Sequence, residues 1–395
     1  MNLPICPRSG PLSVLITALA CIAMACGGDS NRPLITTTHP PASTAPASTT
    51  PSSVASASTA PASTAPASTE ASEAPVEGAN TVSIPPGDWL GPRHPLTGLP
   101  APDGSSVAPA LVVKVGNNDA NSLPQVGLEQ ADIVYEALIE VGRTRFLAVF
   151  HGAVPDLVGP VRSARSSDID LIGNLNRPFF AFWGSNEGVG AEVADAVSRG
   201  TFILQTTSAG GQGFFTRDPS RGVPPYDGIL EAADLMALAA GVAPDAVFAY
   251  GDQAGSSVPS LGVRWDTGAR RIDYLWDSGA SRWLRYQDGR PLVDATGVQL
   301  AADNVLVLYV GYDRSIADPT SPQALSTGDG DGWLFRDGTV TGVTWNRPFV
   351  ADPWALADDD TGVLARLDYG TTWVALAQLG EASILSPADA AGLLG

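Results

Sequence analysis

Hydrophobic positions along this chain change their pattern three times. Residues 12–24 form one short apolar run, with Arg8 as the only charge ahead of it. The run is too short to cross a bilayer as a helix, and small residues follow it, which is the layout of a secretory signal. From 31 to about 86 the apolar pattern stops. Pro, Ala, Ser and Thr recur there as Ala-Ser-Thr-Ala-Pro, and almost none of these side chains gains by burial. An extended, semi-rigid tether is expected, reaching on the order of 150 Å at ~3 Å per residue.

The periodicity returns in an α/β form. Leu111–Val115 is a strand that ends at the turn Gly116-Asn117-Asn118. Ile133–Val141 and Thr144–Phe150 flank Gly142-Arg143 and predict a β-hairpin. Ser166 or Ser167 is expected to cap a helix through Leu175, with Asp168 and Asp170 favouring its first turn. Phe179–Trp183 reads as a buried strand. Glu187–Val197 and Ile229–Ala240 read as helices, the first closed by Gly200.

From Leu261 the pattern becomes short strands between Gly/Asp turns: Arg271–Trp276, Ser281–Tyr286, Asn304–Val310, Gly332–Arg336, Val363–Leu367 and Thr372–Leu376. The expected fold class is α+β. An N-terminal α/β part, a mixed sheet with helices, precedes a β-rich C-terminal part. The expected organisation is a signal peptide with lipobox (1–26), a disordered tether (27–86), an N-terminal domain (87–250) and a C-terminal domain (251–395). The boundary falls in the polar stretch Gly251–Ser260.

Composition narrows the chemistry. The 395 residues carry a net charge of −19, spread over both halves, so a nucleic-acid partner is not expected. All three cysteines (Cys6, Cys21, Cys26) precede the tether, which excludes a disulfide scaffold, a cysteine nucleophile or Cys-ligated zinc in the folded part. Ala23-Met24-Ala25-Cys26-Gly27 looks like a bacterial lipobox, with Cys26 as the lipidated residue; Cys21 after Ala18-Leu19-Ala20 is a weaker alternative, and a plain secretory cut near Ala25 is another. The protein is therefore expected outside the cytoplasm, anchored to the membrane by a lipid on Cys26, near cell-wall polymers and envelope proteins.

One set of residues stands out. Glu136, Leu138 and Glu140 are expected on one face of the first hairpin strand, and Arg143 and Arg145 on one face of the second. Arg162 and Arg165 follow a Gly-Pro turn just ahead of a helix start. A guanidinium fork suits carboxylate or phosphate, so Arg143, Arg145, Arg162 and Arg165, with Asn117 and Asn186, are the candidate ligand-binding residues. Three readings remain open: a site for an anionic or glycan ligand, an acid/base pair of Glu136 and Glu140, or a structural ion network.

Other motifs carry less. His94 and His151 lack a Gly-x-Ser-x-Gly elbow or a His-Glu-x-x-His pattern, and Lys114, the only lysine, fits no phosphate loop. Asp329-Gly330-Asp331-Gly332 and Asp358-Asp359-Asp360-Thr361-Gly362 lack calcium-loop spacing and are read as hairpin turns. Trp265, Trp276 and Trp283 offer either sugar-stacking surfaces or core; core is expected. No metal and no cofactor is expected.

Several strings are specific enough to compare. They are His94–Pro100, Ser122–Glu136, Glu140–Phe150, Gly159-Pro160-Val161-Arg162-Ser163-Ala164-Arg165, Leu275-Trp276-Asp277, Tyr286–Gly289, Asp303-Asn304-Val305 and Gly370–Val374. Together they resemble the YerB-like lipoproteins, a family of unknown function with an N-terminal and a C-terminal part, over roughly 95–379. The resemblance implies lipoprotein location and a two-part architecture, and no established reaction. Where members often carry Pro-His-Asn this chain has Pro225-Tyr226-Asp227. The leading expectation is a non-catalytic envelope module binding an anionic or glycan ligand or a protein partner. The alternatives are an envelope hydrolase using Glu136 or Glu140, and a structural scaffold.

Overall fold

The computed structural model describes residues 85–104, 107–206, 213–253 and 255–394. The expected signal segment, Cys26 and the expected tether as far as residue 84 lie outside the described residues. The described residues all belong to one compact unit.

Its centre is an 11-stranded sheet. In chain order the strands that build it are β1 (Leu111–Gly116), β2 (Ile133–Leu138), β3 (Thr144–Phe150), β4 (Phe179–Phe182), β5 (Ile203–Thr206), β6 (Asn304–Tyr309), β7 (Gly328–Arg336), β8 (Thr339–Arg347), β9 (Ala355–Asp358) and β10 (Thr372–Ala377). Their spatial order is β9-β8-β7-β6-β10-β2-β3-β1-β4-β5, and Val258–Pro259 adds to β8. β6, β10 and β2 pair in parallel, as do β1, β4 and β5, while β3 runs antiparallel between β2 and β1. Six strands thus point one way, and their carboxyl ends share one border of the sheet.

Strands buried on both faces read as continuous apolar runs, and β1, β2, β3 and β10 are buried throughout. One face packs on helices α1 (Ser166–Leu171) and α2 (Glu187–Ser198) through Leu171, Val189 and Val193. The other packs on a second sheet that includes Gly262–Asp266, Arg271–Asp277 and Arg282–Gln287, whose Trp265, Tyr274 and Trp283 are core residues. Trp276 lies beside Trp283, with ring centroids 4.8 Å apart, so these aromatics pack inward.

The two sequence halves do not form separate sheets. β10, from the C-terminal half, lies between β6 and β2, with Ile133 opposite Thr372 and Glu136 opposite Ala375. The expected change near Gly251–Ser260 is one of sequence pattern within a single packed body. The fold is richer in β structure than the α/β expectation for the first half, with four α-helices among the described residues. Gly228–Glu231 is a strand and only Ala232–Ala237 is helical (α3), because Leu230 and Ile229 pair with Phe215-Thr216. α1 stops at Leu171, and Arg165 rather than a serine precedes it as the cap. Asp329–Gly332 is not a turn but the first half of β7, paired residue by residue with β8; the turn is Asp337-Gly338, both with positive φ (42° and 68°). Val363–Leu367 forms only isolated bridges to Ala357 and Tyr250. Asp358–Gly362 is a turn, organised by the Asp358 carboxylate accepting from Thr361 N–H (2.7 Å).

Glu136 joins these layers. Its side chain and that of Arg285 are both fully buried, and Arg285 Nη2 stands 3.0 Å from each Glu136 oxygen. Thr144 Oγ1 (2.7 Å), Asn117 Nδ2 (3.3 Å) and Trp373 Nε1 (3.3 Å) donate to the same carboxylate. Asn117 also donates to Gln287 Oε1 (2.9 Å). The Arg285 guanidinium lies over the rings of Tyr274 (5.1 Å) and Trp373 (5.7 Å). Burial pushes the Arg285 pKa down, but the Glu136 charge outweighs this and the result is raised.

A buried charge left alone is strongly destabilising, whereas removing both members is tolerated. Glu136→Gln is therefore expected to lose about 3–5 kcal/mol in urea unfolding, and Glu136→Leu/Arg285→Met to recover most of it.

Candidate anion-binding site

β1 and β4 stay in register only from Leu111↔Phe179 to Val113↔Ala181. Beyond that point the segment 160–164 enters between their carboxyl ends. Arg162 N–H donates to Lys114 C=O (2.8 Å), Gly116 N–H to Pro160 C=O (2.9 Å), and Trp183 N–H to Arg162 C=O (2.9 Å). The Gly-Pro-Val-Arg-Ser-Ala-Arg string is thus an extended segment that joins the sheet through an isolated bridge at Val161, wedged at the carboxyl ends of the strands, where open sheets commonly place a ligand crevice.

The register sorts the expected site residues onto two faces. Glu136 lies opposite Phe146 and Arg145 opposite Ala137, so Glu136 and Arg145 point to opposite sides of the sheet. Glu136 and Asn117 belong to the buried Arg285 network, with no path to solvent. β2 ends at Leu138, so Glu140 does not share a strand face with Glu136 as the alternation predicted. It sits in a 3-10 turn, Glu140–Gly142, that closes the hairpin. Arg143 precedes β3 and is exposed, so it does not share a strand face with Arg145 either. Asn186 is exposed and caps α2, accepting from Val189 N–H (2.8 Å).

Arg145, Arg162 and Arg165 do come together, around residues the sequence did not single out. Gly116 lies opposite Arg145, and a Cβ there would stand 3.0 Å from Arg162 Cγ. Arg145 is 5% exposed and Arg162 8%. Lys114 Nζ is paired with Asp168 Oδ1 (2.5 Å), whose other oxygen accepts from Arg165 N–H (2.8 Å). Arg165 Nε donates to Glu140 Oε1 (2.8 Å), and Ser321 Oγ donates to the same oxygen. Asp168 and Glu140 are therefore already held by other groups, as is Asp119 near Arg162, which accepts from Tyr226, Asn118 and Asn121.

That leaves Arg145 with one hydrogen bond, from Nη1 to Ser163 C=O (3.1 Å), and a buried Nε with no partner. Arg162 gives Nη1 to Asn118 Oδ1 (2.9 Å) and lies over the Tyr226 ring at 4.9 Å, with no ion pair among the described residues. Burial, then the Arg165 and Arg162 charges, push the Arg145 pKa down to about 9; burial lowers Arg162 as well. Arg347 provides the contrast. It is equally buried, but its fork donates to the carbonyls of Asp352, Ser326, Asp170 and Val350. A guanidinium has five N–H donors, and Arg347 donates from all three of its nitrogens.

Beside Arg162 a cleft of about 60 Å³ is lined by Ser163, Trp183, Arg217 and Asp227. Arg217 is paired with Asp227 (2.6 Å) and lies over the Trp183 ring at 4.7 Å. Tyr226 donates its hydroxyl to Asp119 (2.7 Å). The segment Pro225-Tyr226-Asp227 therefore forms one wall here. A lone lysine inside the apolar run 111–115 was a readable signal for this site; Trp183 and Arg217 had none.

The remaining candidates lie elsewhere. His151 Nε2 bonds Ala108 C=O (3.2 Å), and His94 sits near Asp132 beside Gly152. Among the described residues no cluster of three or more His, Cys, Asp or Glu side chains is arranged for a metal. No helix among them is long and apolar enough to cross a membrane.

This fold and its arginine string place the chain in a family. Residues 96–241 match the N-terminal domain, and residues 261–374 the C-terminal domain, of a protein family of unknown function, DUF3048. The chain belongs to that family. A relative from Bacillus subtilis (strain 168), named "Putative lipoprotein YerB", is 30% identical over 263 residues, 65% of this chain and 78% of the relative. The crystal structure of the Bacillus subtilis YerB protein superposes with a TM-score of 0.64 at 26% identity, covering 74% of this chain and 99% of that one.

Burial pushes the Glu140 carboxyl up, but the Arg165 and Ser321 hydrogen bonds outweigh it and hold the pKa at about 2, below the ordinary 4.5. A group depressed in the folded state stabilises above its unfolded pKa and loses that contribution as pH falls through the folded one. Glu140→Gln is expected to be less stable than the parent above pH 4.5, with the gap closing as pH falls towards 2, measured as Tm against pH.

Proposed function

We propose that this protein is a membrane-tethered, extracytoplasmic binding module that holds an anionic group, a carboxylate or a phosphate ester, between Arg145 and Arg162. The observation that carries the reading is two nearly buried guanidiniums side by side, neither paired with a carboxylate. Uncompensated buried cations are costly, and such a cost is characteristic of a site kept for a ligand. The lipobox at Cys26, the tether and the lipoprotein name of the relative support the location. A hydrolase reading has less support, because Glu136 has no access to solvent and Glu140 is pinned as the carboxylate.

The test is thermal unfolding of the full chain in sodium phosphate and sodium citrate, against sodium chloride at equal ionic strength. Binding to the folded state alone stabilises by about 2.7 kcal/mol at a hundredfold excess over Kd. A rise in Tm is expected for the parent and should disappear in Arg145→Met and Arg162→Met. Without anion, Arg145→Met should unfold at the same urea concentration as the parent or higher. A loss of about 3–5 kcal/mol instead would make these arginines architectural.

A further inference from the structure

A second cavity lies on the same border of the sheet, at the carboxyl ends of β2, β6 and β10, with a volume of about 590 Å³. Its rim joins the Leu138–Gly142 turn, the hairpin Gly311–Arg314/Pro322–Leu325 and the Gln378–Glu381 turn. The floor is fixed: Tyr312 Oη donates to Leu376 C=O (2.7 Å) and accepts from Leu138 N–H (3.1 Å).

The backbone at this rim is strained. Val141 has φ 56° and ψ 36°, the left-handed region, which β-branched residues avoid. Its side chain is 78% exposed, so packing does not repay the conformation. The turn is held from behind by Thr267 Oγ1, which donates to Gly142 C=O. An exposed valine in a conformation suited to glycine points to a contact that the folded chain alone does not make.

The polar groups around Val141 are unspent. The side chains of Asp313, Arg314 and Gln378 form no hydrogen bond or ion pair among the described residues, and Glu381 uses only Oε2. Ser315 N–H donates to Ser321 C=O (3.0 Å), which sets the alternation of the hairpin ladder. Tyr312 and Arg314 accordingly turn their N–H and C=O groups away from the partner strand. Ala324, facing Tyr312, does likewise and donates to Ser167 Oγ (2.9 Å).

We propose that this cavity binds a neutral sugar, with Val141 and Pro319 against the ring C–H faces and Asp313, Arg314 and Gln378 on the hydroxyls. Each sugar hydroxyl both gives and accepts a hydrogen bond, and this rim offers a carboxylate, a guanidinium, an amide and free backbone groups side by side. Asp313 and Glu381 outweigh Arg314 in charge, which disfavours the anions that suit Arg145 and Arg162. The volume falls within the range of small-ligand sites. This inference does not rest on the anion site.

Saturation-transfer NMR on the full chain in detergent, with glucose, N-acetylglucosamine and their β-linked disaccharides at millimolar concentration, tests it. Transfer to at least one sugar is expected. Asp313→Ala/Arg314→Ala, at exposed positions, should weaken binding by about tenfold or more. Val141→Gly should raise Tm while weakening the sugar, whereas Arg145→Met should leave sugar binding unchanged. No transfer to any of these sugars overturns the proposal, as does binding that survives the double substitution. Transfer to an extended Thr-Val repeat peptide and to no sugar would overturn it in favour of strand addition at Tyr312 and Arg314.

Discussion

Two opposite charges withdrawn from water must meet, and the Glu136–Arg285 pair imposes that condition on the whole molecule. Glu136 comes from β2, Arg285 from the second sheet, and Trp373, which donates to the carboxylate, from β10. No two of these elements can drift apart without leaving a charge or a donor unmatched in the core. The pairing of β2 with β10 and the packing of the second sheet on the first are therefore fixed together. The same condition makes one body of two sequence halves that differ in pattern.

A second consequence follows from strand direction. Because β1, β2, β4, β5, β6 and β10 run the same way, the turns that leave them gather on one border. Polar side chains concentrate there, since the strands themselves are buried on both faces. The guanidinium pair and the Val141 cavity are neighbours on that border, linked through Glu140, which bonds Arg165 and Ser321. The arginines of this protein divide accordingly. Arg285 is neutralised by Glu136 and Arg347 donates from all three nitrogens to carbonyls, while Arg145 and Arg162 are buried with no carboxylate partner and few hydrogen bonds.

Much of the element list was legible from local pattern. The runs at 111–115, 144–150, 179–183, 304–310 and 372–376 are strands, and Glu187–Ser198 is a helix whose closing Gly200 takes positive φ (77°). The misreadings have two causes. Ile229 and Leu230 have helical spacing to the residues that follow but are claimed by a strand partner at Phe215-Thr216. Asp329–Gly332 has turn composition, but a nine-residue partner strand holds it extended. Val141 continues an apolar strand pattern, and the chain leaves that strand three residues earlier. In the first two cases pairing with another segment overrode a local preference, and at Val141 the tight 3-10 turn that closes the hairpin did.

The sequence by itself determined what depends on composition and on neighbours along the chain: strands in both halves of the folded part, a β-rich second half, and an arginine string whose guanidinium forks suit carboxylate or phosphate. Only the tertiary structure decided which charges meet. Strand alternation defines two faces, but the register between strands assigns a residue to its neighbours, and register is set by contacts far apart in sequence. Glu136 and Arg145, nine positions apart on one hairpin, were separated by the thickness of the sheet, while Glu136 and Arg285, 149 positions apart, were brought within 3.0 Å.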